Sequence, residues 1–230
     1  MVINGIPISE FKGQKTQDQW VVSDVFKGKR DGCFLDLAAA DGVLHSNTYV
    51  LEKQLNWQGL CVEPNPRFFE ELKSNRNCHV ANTVISDTAS KLKFRVDNGQ
   101  LGGVVAEDTD NNYDVRGSEL TSESAEILEL DAIDINSLLA QYKAPKHIDY
   151  FSLDVEGCEE RIISTLDFNS YTFGCITIER PTPKVNEIVL ANGYVFVKNF
   201  KFDSFYLHPD VQSEAQLKCD PFEQIPPKDW

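Results

Sequence analysis

The sequence has no run approaching the ~20 apolar residues that a membrane span needs, no CxxC pair and no basic patch, and each absence closes off a class of function. Its start, Met1 to Glu10, lacks both the basic flank and the apolar stretch of a signal peptide, so the expected address is cytoplasmic. The six cysteines, Cys33, Cys61, Cys78, Cys158, Cys175 and Cys219, are widely separated. That spacing excludes a zinc ribbon and a thioredoxin-type motif, and it reads as core filler. Lys and Arg number 22 against 36 Asp and Glu, a formal charge of −14. Proteins that grip phosphate backbones concentrate positive charge, so neither a nucleic acid nor a membrane is an expected partner. Internal repeats are absent. So is GxGxxG, which a nicotinamide-dependent oxidoreductase would carry at its first turn. The YxxxK string from Tyr49 to Lys53 lies beside that turn rather than far downstream, the wrong place for a dehydrogenase pair.

What is present suits one globular α/β domain over residues 1–230, with 41% hydrophobic and 25% charged residues. Short apolar segments alternate with amphipathic ones. Cys33 to Leu37 precedes a helix over Thr48 to Leu55, and Leu60 to Val62 precedes one over Pro66 to Lys73. A third strand reads from His79 to Ile85. Ile148 to Val155 leads to Glu159 to Leu166, and Cys175 to Ile178 to Val185 to Ala191. Continuous apolar strands separated by helices indicate a parallel sheet covered on both faces. Tyr194 to Phe200 and Ser204 to Leu207 read as a closing hairpin. Residues 97–124, with Gly102-Gly103 and few apolar positions, read as a loop insertion that serves as a lid. The tail, 208–230, is expected on the surface.

In open α/β sheets ligands bind at the carboxyl ends of the strands, so the residues just past each strand's last apolar position matter most. The first strand ends in Asp36-Leu37-Ala38-Ala39-Ala40-Asp41-Gly42, and Ser46-Asn47-Thr48 then opens a helix whose amides can hold an anionic group. Glu63, 21 positions beyond Gly42, stands where nucleoside-binding domains place a ribose acceptor. Ser86-Asp87 comes after the third strand, and its carboxylate is placed to accept from an exocyclic amine. The fourth ends in Asp154-Val155-Glu156-Gly157; residues two apart on a strand share a side, so the two carboxylates converge if the strand reaches that far. Glu179-Arg180 ends the fifth. Such acids can act as a base, orient a hydroxyl or hold a divalent ion such as Mg2+, and helix capping is the alternative for each.

These residues closely resemble the FkbM family of S-adenosylmethionine-dependent methyltransferases. The matching elements are Asp36, Asp41-Gly42, Ser46-Asn47-Thr48, Trp57-Gln58-Gly59, Glu63-Pro64, Asn75-Arg76, Ser86-Asp87 and Ile148 through Gly157 with Glu159. Gln14 and Gln17-Asp18 resemble the family's N-terminal element, and the likeness covers most of 14–207. It implies a class I methyltransferase fold: a Rossmann-like three-layer sandwich around a seven-stranded, mostly parallel sheet with one antiparallel strand. It implies cofactor binding by Gln17, Asp36, Ala38, Asp41, Gly42, Ser46, Asn47, Thr48, Glu63, Pro64, Ser86, Asp87 and Asp154, with Asp154 and Glu156 at the reacting centre. The expected reaction is methylation of a hydroxyl on a small-molecule or glycan acceptor. His45, Arg116 and Glu179 are candidate acceptor contacts. One departure stands out: Ala38-Ala39-Ala40 occupies the turn where the family usually has Gly-Ala-Asn. That leaves a binding module with a decayed cofactor site as the alternative.

Overall fold

The computed structural model describes residues 1–211 and 219–225. The tail expectation therefore falls partly on residues, Pro226 and Pro227 among them, that lie outside the described ones.

The chain opens with a small hairpin, β1 (Val2–Ile3) and β2 (Ile6–Pro7), and a short helix α1 (Gln17–Trp20). Then come β3 (Cys33–Leu37), α2 (Tyr49–Leu55), β4 (Gln58–Val62), α3 (Pro66–Asn75), β5 (His79–Ala81) and β6 (Val84–Ile85). The middle holds β7 (Lys91–Arg95), α4 (Tyr113–Leu120), β8 (Ile127–Ile133) and α5 (Ile135–Gln141). The last third holds β9 (His147–Leu153), α6 (Glu159–Thr165), β10 (Thr172–Glu179), α7 (Pro183–Ala191), β11 (Val195–Phe200) and β12 (Asp203–Leu207).

Seven strands form one sheet in the order β11-β12-β10-β9-β3-β4-β5, with β12 antiparallel to both of its neighbours. The expected three-layer fold is observed. On one face α5, α6 and α7 pack Leu138, Ile162 and Val189 onto Leu35, Val62 and Ile176. On the other, Trp20, Val50, Leu51 and Leu72 cover Phe34, Cys61, Tyr150 and Phe205. A sheet buried on both faces needs apolar residues at successive positions, which is why its strands read as unbroken runs. Capping sets the helix starts: Asn65 accepts from the Arg67 N–H ahead of Pro66, Asp134 from Ser137 N–H and Thr182 from Val185 N–H. Among the described residues no helix is long and apolar enough to cross a membrane.

Three expectations change. The strand over His79 to Ile85 is two strands, because Asn82 turns away to donate to the Glu63 and Pro64 carbonyls and Thr83 to that of Asp131. β6 then leaves the main sheet for a three-stranded one, ordered β6-β8-β7. Residues 97–124 are not a bare loop: they hold a 3-10 turn, Gly99–Leu101, a bridge from Val104 to Phe94, and α4. Finally, β9 stops at Leu153, one residue short of Asp154.

Candidate active site

The carboxyl ends of β3, β4, β9 and β10 open onto a cleft. Most of the expected residues line it: Gln17, Asp36, Ala38, His45, Ser46, Asn47, Glu63, Pro64, Asp154, Glu156 and Glu179.

On the β3 side the turn after Leu37 is left-handed at Ala38 (φ +66°) and Ala40 (φ +47°). Ala40 N–H donates to Glu63 Oε2 at 2.8 Å and Asn65 N–H to Oε1 at 2.7 Å. Burial pushes the Glu63 carboxyl up to about 7, against the pull of those two amides. Asp36 is buried beneath the turn, its carboxyl raised by burial although Thr48 donates to it at 2.6 Å. Asn47 donates to Ser152 Oγ at 3.0 Å, while its Oδ1 is buried without a hydrogen-bond partner among the described residues.

On the β9 and β10 side, carboxylate oxygens of Asp154, Glu156 and Glu179 lie within 4.8 Å of one another. The strand geometry expected to align Asp154 with Glu156 is replaced by a turn, in which Glu156 has φ +54° and Gly157 φ +100°. A Cβ on Gly157 would come within 2.6 Å of Asp110 N, so only glycine lets the middle segment approach this closely. Arg180 reaches Glu179 at 3.2 Å and Glu156 at 3.6 Å, and pairs with Asp110. Burial and the neighbouring Glu179 and Glu156 charges raise the Asp154 carboxyl well above its ordinary range. Asp203, which accepts from Gln17 Nε2 at 2.8 Å, adds to the same field. The cluster has ligand spacing for Mg2+, yet a guanidinium already serves two of its three acids.

Other expected residues lie off the lining. Asp41 turns back to cap the Val43 and Leu44 amides at 2.8 Å. At Gly42 (φ +78°) a Cβ would meet Leu72 and Arg76 of the α3 region within 2.7 Å, a close approach that glycine permits. Thr48 is buried between Asp36 and Arg76. Ser86 and Asp87 come after β6, which has left the main sheet; Ser86 is buried and donates to Asp87, whose charge is felt at Cys158 and Arg161. Arg116 sits buried in α4, 3.3 Å from Glu119, away from the cleft lining.

The sequence reading missed Asn65, Phe68, Phe94, Gln100, Leu101 and Val104, all of which line the cleft. Gln100 Oε1 accepts from His45 Nδ1–H at 2.7 Å and its Nε2 donates to the Leu44 carbonyl at 3.0 Å, tying the 3-10 turn to the segment that follows β3. The glycines at 99, 102 and 103 were the available signal.

The lining fits S-adenosylmethionine. Glu63 directly follows β4, where nucleoside-binding sheets place a ribose acceptor, the orphaned Asn47 Oδ1 suits an ammonium donor, and the acidic wall suits a cation. Comparison with curated proteins finds no match. Solved structures similar to this chain include a precorrin-6y C5,15-methyltransferase from Geobacter metallireducens, at 14% identity and TM-score 0.44 over 88% of this chain and 95% of that one. A TehB-like SAM-dependent methyltransferase from Corynebacterium glutamicum matches at 9% identity and TM-score 0.43 over 89% of each. The Methyltransferase FkbM domain matches residues 36–207. That match spans most of the chain and runs through both walls of the cleft: the chain belongs to the FkbM family of S-adenosylmethionine-dependent methyltransferases.

Proposed function

We propose that the enzyme methylates a hydroxyl of a carbohydrate or natural-product-like small molecule. The observation that supports this most is the convergence of Asp154, Glu156 and Glu179 on one wall of the cleft. Carboxyl groups accept hydrogen bonds from several hydroxyls at once, and they disfavour an anionic acceptor.

Bound in the cleft, S-adenosylmethionine supplies a methyl group already activated on a sulfonium. Glu63, Asp36 and Asn47 would hold the cofactor, and Gln17, fixed by Asp203, closes the pocket beside them. The chain's own task is to align an oxygen and take its proton. The Arg180 cation favours negative charge on Glu156, which is therefore the group placed to receive that proton. Asp154, raised by burial and the Glu179 charge, keeps its own proton and fixes the hydroxyl by hydrogen bonding.

A labelled-methyl screen over sugar and glycan acceptors, with and without EDTA, tests the reading. Turnover of a neutral polyol that survives EDTA is the expected result, and transfer confined to amines or thiols would refute it. With an acceptor in hand, Glu156→Gln should lower turnover by about 10²–10⁴-fold while S-adenosylhomocysteine still binds. Full turnover in both Glu156→Gln and Asp154→Asn would remove the proposed roles.

A further inference from the structure

Outside the cleft, the sulfurs of Cys61 and Cys78 lie 3.6 Å apart. Both are free thiols; Cys61 is buried on β4 and Cys78, just before β5, is half-buried. Cys61 pairs in register with Val80, so Cys78, two residues earlier, faces the same side, and both pack in the cluster around Leu72. β5 is the edge of the main sheet and pairs through only three residues. An edge strand that short can give the ~1.5 Å by which the sulfurs must close to reach a bond of about 2.05 Å.

The residues beside the pair tie it to the cofactor turn. Arg76, two positions before Cys78, is buried, and its charge is felt at both sulfurs. Its guanidinium donates to the Gly42 carbonyl at 3.2 Å, Ser46 Oγ at 3.2 Å and Thr48 Oγ1 at 3.0 Å, and Nε meets Glu52 at 2.7 Å. Asn77 N–H donates to the other Glu52 oxygen at 2.9 Å. Residues 76–78 are thus the clamp under the turn that opens α2.

We propose that Cys61 and Cys78 form a redox pair whose disulfide loosens this clamp. The oxidant is a peroxide. The thiolate of Cys78, the less buried of the two, attacks one peroxide oxygen; the O–O bond breaks and a sulfenic acid forms as hydroxide leaves and is protonated to water. Cys61 then attacks the Cys78 sulfur as its own proton is lost; the S–S bond forms, the S–O bond breaks and a second water leaves. Two thiols lose two electrons and hydrogen peroxide becomes two waters. Pulling residue 78 toward β4 draws Asn77 and Arg76 away from Glu52, Gly42 and Ser46.

The test treats the full chain with hydrogen peroxide, quenches it, and combines non-reducing peptide mapping with hydrogen–deuterium exchange. Expected are a cross-linked 61/78 peptide 2 Da below the sum of its parts, and at least threefold faster exchange over residues 42–49. Dithiothreitol should reverse both, and Cys78→Ser should show neither. Exposed Cys219 reports that oxidant was delivered. Free Cys61 and Cys78 once Cys219 is oxidised would overturn the proposal, as would a cross-link that leaves exchange over 42–49 unchanged. Neither readout needs bound cofactor, so the outcome is independent of the methyl-transfer reading.

Discussion

Alanine at 38 and 40 holds backbone angles, φ +66° and +47°, that cost an L-residue roughly 1–2 kcal/mol and glycine almost nothing. The turn keeps its left-handed form all the same, because Ala39 N–H bonds the Val62 carbonyl and Ala40 N–H the Glu63 carboxylate. Ala38→Gly should therefore stabilise the fold by about 0.5–1 kcal/mol after glycine's extra unfolded-state entropy, a rise in Tm of about 1–4 °C by calorimetry. Unchanged or lower stability would show that the turn is not strained. Glu63 offers a second residue-scale outcome. Burial pushes its carboxyl up to about 7, and the proposed contact with both ribose hydroxyls requires the ionised form. Affinity for S-adenosylhomocysteine should rise between pH 6 and 7.5, by up to about tenfold per unit where Glu63 is protonated. Glu63→Gln should abolish that slope and weaken binding by about tenfold or more.

Among the elements, the middle segment is held down at several points. Arg180 pairs with Asp110 and Arg161 with Asp108, while Asp110 N–H donates to the Glu156 carbonyl at 3.1 Å. Asp110→Asn breaks a largely buried pair and should cost about 1–3 kcal/mol, with exchange accelerated first over residues 101–112. Uniform acceleration across the chain would argue against local release. How legible each element was in the sequence depends on its surroundings. β3 is Cys-Phe-Leu-Asp-Leu, buried nearly throughout, and its apolar run carried the signal. β7 and β8, Lys-Leu-Lys-Phe-Arg and Ile-Leu-Glu-Leu-Asp-Ala-Ile, went unread because a half-exposed antiparallel pair alternates apolar with charged residues. The split of the strand before Asp87 was missed for a related reason: the kink at Asn82 and Thr83 that ends β5 depends on carbonyls at residues 63, 64 and 131, distant in sequence. The acids at 36, 63, 154, 156 and 179 were found because each lies within, or close behind, a strand that does belong to the main sheet.

For the molecule as a whole, the negative charge divides into two populations with opposite pH behaviour. Asp18, Asp36, Glu63, Asp154 and Glu159 are raised, chiefly by burial, with Glu63 and Glu159 at about 7. Each folded-state value lies above its unfolded one, so their contribution is full below about pH 4 and is lost as pH rises toward 7. Glu52 behaves in reverse: burial opposes ionisation, but Arg76 holds its carboxyl down to about 2, so its contribution is present above about pH 4.5 and fades in acid. The contribution of these groups should be greatest near pH 4–4.5 and decline above it, with a Tm at pH 8 lower than at pH 5 by at least about 3 °C. A Tm that climbs steadily from pH 5 to 8 would contradict the burial assignments.

The departure of β6 from the main sheet has an evolutionary consequence. Among the described strands β6, β7 and β8 hydrogen-bond only with one another, yet residues 84–104 deliver Ile85, Phe94, Leu101 and Val104 to the cleft. Part of one wall therefore stands on a separately hydrogen-bonded sheet that packs against the main core. Insertions, deletions or exchange of sequence between Val84 and Ile133 leave every rung of the seven-stranded ladder in place. Sequence can therefore vary along this wall without unpairing the strands that position Asp36, Glu63 and Glu179.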